Sequence, residues 1–335
     1  MRAMLLESPA AAEQSPLHPV ELEAPAPGAG EVRVRVLCCG LCHTDLHIVE
    51  GELPLPKLPV VPGHQIVGIV DAVGSGVQRL REGDRVGIPW LYSTCGKCRY
   101  CLSGLENLCE QARFTGYSVN GGYAEAAVVQ EDFCYALPAT FSDEHAAPLL
   151  CAGIIGYRSF RLSRAKAGDW LGLYGFGASA HIVVQFARYR GIQVAVFTRT
   201  AAHAELALKL GAAWVGDARQ QPPSPLDAAI IFAPAGGLVP EALRATRPGG
   251  TVACAGIAMS AIPQMNYSLL YRERVLRSVA NSTRQDAREF LELAAEVPVH
   301  TTVQVFALDE ANRALQLLKH SRIEGAGVLS IGSNE

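Results

Sequence analysis

Residues 169–180, DWLGLYGFGASA, run an apolar strand-like stretch into a glycine turn, and SAHIVVQFARYR follows as a predicted helix ended by Gly191. In that setting Gly175-x-Gly177-x-x-Ala180 matches the G-x-G-x-x-G/A turn of dinucleotide-binding folds. Backbone amides at a helix N-terminus can receive a pyrophosphate, and positions without bulky side chains let it approach closely. Ala180 in the third place is acceptable because that position serves helix packing. An ordinary tight turn is the competing reading, and the sequence downstream weighs against it. QVAVFTR reads as a second strand, AAHAELALKLGA as a helix, DAAIIFAP as a strand, LVPEALRATRPGG as a helix and TVACAGI as a strand. Alternation of this kind predicts a doubly wound parallel sheet, a Rossmann domain.

Near the end of the second strand, an acidic side chain would accept a hydrogen bond from the ribose 2′-hydroxyl of NAD. This chain has Thr198 and Arg199 there. A hydroxyl beside a guanidinium suits a 2′-phosphate, so the reading favours NADP(H) over NAD(H). The alternative is an ordinary surface arginine after a strand.

Upstream the composition changes. Residues 1 to about 145 are rich in Pro, Gly and short β-branched runs, of which EVRVRVLCCG, QIVGIVDAVG and DRVGIP read as strands and PLPKLPVVPG as a rigid extended connection. After about residue 285, DAREFLELAAEVP reads as an amphipathic helix, and VQVFALDEANRALQLLKHSRIEGAGVLSI as strand, helix, strand. This tail is assigned back to the β-rich domain. The expected division is therefore 1–148 with 286–335 for a β-rich domain, and 149–285 for the dinucleotide-binding domain. QQPPSP at 220–225 is a loop, and YRERVLR at 271–277 reads as a solvated helix face.

Within the β-rich part, CGKCRYCLSGLENLC places Cys95, Cys98, Cys101 and Cys109 among Gly, Lys, Arg and Ser, with little that could form a core. Each Cys-x-x-Cys step brings two thiolates within reach of one ion, and Zn2+ takes four sulfurs at about 2.3 Å in a closed tetrahedron that shapes a loop and performs no chemistry. Two disulfides or four unrelated buried thiols are the alternatives.

The 335 residues are 49% hydrophobic and 18% charged, enough for two domains with substantial cores. The net charge is −3 and the 29 Lys and Arg are scattered, so neither nucleic acid nor an anionic membrane is expected as a partner. Small molecules are the expected ligands. MRAMLLESPAAAEQ lacks the apolar core of a signal peptide, and no stretch approaches the roughly 20 apolar residues of a membrane span. Ten cysteines without a secretory signal are read as a sign of a reducing cytoplasm and of metal ligation.

The sequence resembles the zinc-dependent medium-chain alcohol dehydrogenases across essentially its whole length. The motifs that carry the resemblance are CGLCHTDLH, PGH, the four-cysteine lobe, GGYAEAAVV, LLCAGIIGY, GFGASA and the terminal GAGVL. The resemblance implies a GroES-like β domain, completed by the C-terminal segment, beside a Rossmann domain. It implies two Zn2+ per chain: a catalytic ion on Cys42, His64 and Cys151, and a structural ion on the four-cysteine lobe. Spacing alone would not find the trio, since a lone Cys in an apolar run is usually a small buried hydrophobe. An open fourth position on zinc acidifies an alcohol hydroxyl, and hydride passes to or from the nicotinamide.

By the same resemblance Thr44 hydrogen-bonds the substrate oxygen, His47 passes the proton towards solvent through the cofactor ribose, His43 contacts the pyrophosphate, and Asp45 orients the zinc-bound histidine. A homodimer or homotetramer is expected by family precedent.

Three positions depart from the family pattern. Gln65 stands where a carboxylate usually follows the zinc histidine, which should leave the site more electropositive. Ala326 stands where an Arg often touches the pyrophosphate. Leu53 stands where small-alcohol enzymes commonly place a Trp, so Leu53, Trp90 and Tyr117 are candidate walls of a wider pocket. Cys38, Cys39, Cys134 and Cys254 receive no metal role, and His145, His181, His203, His300 and His320 read as solvated or satisfied histidines. A zinc-free quinone or enoyl reductase of the same superfamily would lack zinc ligands, and all seven are present. A non-catalytic cofactor-binding scaffold has only Gln65 and Ala326 in its favour.

Overall fold

The structure, a computed structural model, describes residues 1–297 and 299–332. Pro298, at the end of the expected DAREFLELAAEVP helix, and residues 333–335, at the expected limit of the β-rich domain, lie outside the described residues. The chain forms two compact units: Met1–Cys151 with Ser282–Ala295 and His300–Glu335, and Ala152–Asn281 with Glu296–Val299.

The first unit is organised around the strand Glu31–Leu41. Val32, Val34 and Val36 alternate with half-buried charged residues, as the two-residue period of a strand with one core face requires. Burying each such valine contributes about 1.5–3 kcal/mol relative to leaving it exposed. Beyond Val36 the strand is buried on both faces. Gln65–Val73 pairs with it antiparallel on one side and Ala326–Ser330 on the other, with Gly327 opposite Leu41. The sheet continues outward through Arg85–Ile88 and Tyr135–Ala136 at one end and Val303–Ala307 at the other, and Ala126–Gln130 also pairs with the central strand. The C-terminal segment thus supplies two strands to a sheet begun near residue 31.

The second unit is a six-stranded sheet in which every pairing is parallel. Its order is Trp214–Gly216, Gln193–Phe197, Trp170–Tyr174, Leu226–Ile231, Thr246–Cys254, Val275–Ser278. The chain starts at Trp170–Tyr174, builds outward to one side and then returns to build on the other. That reversal is the topological switch point at which such sheets bind ligands. Leu171, Leu173, Ala195, Val196, Ile230 and Ile231 are fully buried, consistent with a sheet covered on both faces.

Two readings of this part of the sequence need correction. YRERVLR is no helix face. Arg272 and Glu273 have φ of 71° and 61°, which breaks a right-handed helix, and Val275–Ser278 is the edge strand of the parallel sheet. The helix expected through residue 250 ends at Ala245, because Pro248 and two glycines follow, and Thr246–Cys254 is strand. The short strand Trp214–Gly216 was not anticipated, since three half-buried residues carry no periodicity.

Candidate metal centres and dinucleotide turn

Strand pairing assembles the Cys42 site. Gly40 lies opposite Gln65, and the chain leaves one strand through Leu41 into Cys42 and enters the other from His64. Antiparallel register therefore delivers Cys42 and His64 to the same end of the sheet. Cys151 follows the turn Ala147–Leu150, where Leu149 and Leu150 are fully buried. The Leu150 side chain covers Gly87, whose absent Cβ would stand 2.6 Å from it. Cys42 Sγ is 3.5 Å from His64 Nε2 and 3.8 Å from Cys151 Sγ, and the three donor atoms lie within 4.8 Å of one another. A tetrahedral ion with bonds of about 2.3 Å to sulfur and 2.0–2.1 Å to nitrogen sets S···S edges near ~3.8 Å and S···N edges near ~3.6 Å. Both separations from Cys42 match those edges and the third pair lies within 4.8 Å, so the residues present fit zinc.

Asp45 locks this arrangement. It accepts from the Cys42 amide at 2.9 Å, capping the short helix His43–Val49, and from His64 Nδ1 at 3.0 Å. Nδ1 is thereby committed as a donor, and Nε2 is left to face Cys42. Thr44 N–H donates to Cys42 Sγ at 3.4 Å. Burial opposes charge on His64, but Asp45 and Cys42 outweigh it and push the imidazole up to about 10. Burial raises the Asp45 carboxyl even against that imidazole. The hydrogen bond with Cys151 pulls the Cys42 thiol well down against burial, with His64 helping, and pushes the Cys151 thiol well up. The cluster therefore gathers negative charge on Cys42 and retains its protons on neighbours, which a divalent cation would displace, since ligation requires thiolates and a neutral imidazole.

Aromatic rings stand beside His64. Trp90 meets it edge-on at 5.0 Å and in turn contacts Phe114 at 5.2 Å and Tyr117 at 5.5 Å. The Tyr117 hydroxyl donates to the Pro54 carbonyl, next to half-buried Leu53. The structure thus brings Trp90 to His64 with Tyr117 behind it against Trp90, and adds Phe114, which no motif had marked. Gln65 is buried, packs over Gly40 and has no hydrogen-bond partner for Nε2 among the described residues. His47 bonds through Nδ1 to Glu52, a residue the sequence reading passed over, and His43 is exposed.

In the four-cysteine lobe, Cys98 Sγ is 3.5 Å and Cys95 Sγ 3.9 Å from Cys101 Sγ, and all four donors including Cys109 lie within 4.8 Å. These separations again fit the sulfur edges of a zinc tetrahedron. A disulfide would need about 2.05 Å, and the ten cysteines are free. The amides of Lys97 and Cys98 pull the Cys95 thiol down to about 6, towards the thiolate that ligation requires.

The glycine turn sits in the second unit at the end of Trp170–Tyr174. Gly175 has φ of 89°, and a Cβ there would stand 2.9 Å from the Ala233 backbone nitrogen, so glycine is required twice over. Gly177 caps the helix Ala178–Tyr189 with no side chain on the end amides, and a Cβ there would meet nothing within 4 Å. Among the described residues no side chain caps this helix end, and the open space beside Gly177 fits a pyrophosphate. Ala180 is fully buried. Phe176 stacks on buried His181 at 6.0 Å and meets His203 at 6.4 Å, contacts no motif had indicated. Thr198 N–H donates to Gly216 O at 3.0 Å at the end of the second strand, and the next residue, Arg199, is exposed with no hydrogen bond or ion pair among the described residues.

Family models match both units. Residues 28–139 match the alcohol dehydrogenase GroES-like domain, and residues 180–296 match the zinc-binding dehydrogenase domain. The chain is 48% identical to "Probable alcohol dehydrogenase AdhA" of Mycobacterium tuberculosis (strain CDC 1551 / Oshkosh), over 99% of its own length and 97% of that protein's. The chain belongs to the zinc-containing alcohol dehydrogenases. An alcohol dehydrogenase of Geobacillus stearothermophilus is 40% identical over 95% of this chain and 97% of its own. A cinnamyl alcohol dehydrogenase structure from Sorghum bicolor superposes with a TM-score of 0.88 at 28% identity, covering 98% of this chain and 97% of that one. The fold is accordingly a GroES-like β domain with a Rossmann domain, and the chain is an oxidoreductase of the alcohol dehydrogenase type. Among the described residues no helix is long and apolar enough to cross a membrane. In this alcohol dehydrogenase Ala326 opens the strand Ala326–Ser330 and donates its amide to Thr302 O at 2.9 Å, so the position is spent on the sheet and offers no side chain to a cofactor.

Proposed function

We propose that this alcohol dehydrogenase holds two Zn2+ per chain, one on Cys42, His64 and Cys151 and one on Cys95, Cys98, Cys101 and Cys109. We further propose that it interconverts a primary or secondary alcohol with its aldehyde or ketone, using NADP(H) in preference to NAD(H). The observation that carries this reading is the pair of separations from Cys42 to His64 and Cys151, which match edges of a zinc tetrahedron with His64 and Cys151 gathered in the same cluster, and among the described residues no fourth His, Cys, Asp or Glu joins them.

Zinc, when bound at the three-ligand site, supplies a Lewis acid that acidifies an alcohol hydroxyl or polarises a carbonyl. The dinucleotide, when bound, supplies the hydride acceptor or donor. The chain's own residues do the rest. Asp45 holds His64 in the tautomer that presents Nε2. Thr44, two residues from a ligand, offers a hydroxyl to the substrate oxygen, and His47 carries the proton away from it. Trp90, Phe114, Tyr117 and Leu53 form apolar walls that exclude water and leave room for a substrate larger than ethanol. Gly175, Gly177 and Ala180 shape the pyrophosphate turn, with His43 as a further contact. Arg199 beside Thr198 receives the 2′-phosphate.

A homodimer or homotetramer is supported by exposed Tyr267 and Tyr271, in ring contact at 5.8 Å, together with exposed Ile257 and Ile262 in the same unit. Light scattering tests it. A cytoplasmic location is supported by the ten free cysteines.

The deciding experiment combines metal analysis with a screen of primary alcohols, secondary alcohols and matching carbonyl compounds against both cofactors. Two zinc per chain with faster turnover on NADP(H), lost selectively in Arg199→Ala, supports the whole reading. Unchanged cofactor preference in that variant removes Arg199, and metal without turnover on any substrate removes catalysis.

A further inference from the structure

The helix His43–Val49 ends in a turn that folds Glu52 back on His47. Glu50 is its C-terminal cap, Gly51 takes a φ of 73°, and Glu52 N–H then donates to His47 O at 2.9 Å. The same residue's carboxylate accepts from His47 Nδ1. Glu52 is therefore attached to His47 through both backbone and side chain. Solvent exposure is graded along the pair, 19% for the His47 side chain and 54% for that of Glu52.

The carboxylates of Glu50 and Asp45, on the same helix and its cap, are already engaged. Glu50 accepts from the Ala12 amide and from Lys319 Nζ, a cation on the packed helix Ala311–Lys319. Asp45 is turned inward to His64. His43, one helical turn before His47, is exposed, and among the described residues nothing bonds to its side chain. Glu52 is thus the carboxylate available to His47.

We infer that Glu52 is a positioning residue and proton outlet for His47: it fixes the ring with Nδ1–H towards the carboxylate and Nε2 towards the incoming proton, and passes the Nδ1 proton to bulk water. This rests on the reading of His47 as the proton carrier. Oxidation of an alcohol breaks the carbinol C–H bond, sends hydride with its electron pair to the oxidised dinucleotide and leaves a carbonyl plus one proton from the hydroxyl. That proton reaches Nε2, the Nδ1 proton leaves through Glu52 to water, and the ring returns to its starting tautomer by exchange with solvent. In carbonyl reduction the same path runs inward.

The test uses the purified zinc- and cofactor-loaded enzyme and the variants Glu52→Gln, Glu52→Asp and His47→Gln. Pre-steady-state alcohol oxidation is followed across pH, in H2O and D2O, with and without added imidazole buffer. Glu52→Gln should keep its zinc content and cofactor KM, lose about 10-fold in the oxidation rate on the acid side of the profile, and recover with imidazole as an external proton acceptor. Glu52→Asp should retain most of the rate. A Glu52→Gln profile and solvent isotope effect equal to wild type, with His47→Gln slow and buffer-rescued, overturns the role of Glu52 alone. If His47→Gln also matches wild type, the relay reading itself fails.

Discussion

His64 gives Nδ1 to Asp45 at 3.0 Å and keeps Nε2 3.5 Å from Cys42, while Asp45 also accepts from the Cys42 amide. One fully buried carboxylate therefore fixes the orientation of two residues that adjoin the ends of different strands and are 22 positions apart.

Asp45→Asn should weaken zinc at that site by about 10–100-fold, the usual effect of removing the partner that orients a metal-binding histidine. Competition with a chromogenic chelator reads it directly. The four-cysteine lobe should release its ion at the wild-type rate, because the Asp45 carboxylate is engaged with Cys42 and His64.

The two glycines of the turn should behave differently. Gly175→Ala forces a Cβ against Ala233 at a positive φ and should cost at least about 1 kcal/mol of folding stability, seen as a lower Tm. The Cβ of Gly177→Ala meets nothing within 4 Å among the described residues, so Tm should hold while dinucleotide affinity falls. Equal Tm losses in both variants would count against the open space over Gly177 being kept for a ligand.

Stability should also report on His181, which stacks on Phe176 inside the turn. Burial, helped by His203, lowers its folded-state pKa below the ordinary 6.5. The unfolded chain then binds more protons than the folded one as pH drops past 6.5, so this residue's contribution is present above that value and declines below it. Thermal melts of the wild type and His181→Gln compared across this range should show a shallower acid decline in the variant.

Releasing metal from the lobe should loosen it locally. Cys95, Cys98 and Cys101 lie in a short stretch with no buried residues in its helix, so little apart from ligation holds them. Hydrogen exchange over residues 95–109 should rise on chelation, with exchange in the Glu31–Leu41 strand unchanged.

The features most legible in sequence were those that local chemistry dictates. Gly175 and Gly177 between a strand and a helix, and four cysteines at Cys-x-x-Cys spacing, impose their geometry over a few residues. Cys42, His64 and Cys151 were legible only through family resemblance, because the Gly40–Gln65 register that joins the first two is a long-range fact. The edge strand Val275–Ser278 was read as helix, since Arg274 and Arg277 disguise it and the left-handed pair Arg272 and Glu273 leaves no composition signal. Glu52 and Phe114 escaped for the same reason: a turn folds one back on His47, and the other reaches Trp90 through a short antiparallel pairing with Leu91.

Zinc content, measured by plasma mass spectrometry on the wild type and on Cys151→Ala, tests the metal claim most directly. Two ions per chain falling to one, with turnover abolished and the fold retained by circular dichroism, is the predicted result. An identical zinc content in both proteins would contradict it, because Cys151 would then hold no metal and the three-ligand site would not exist.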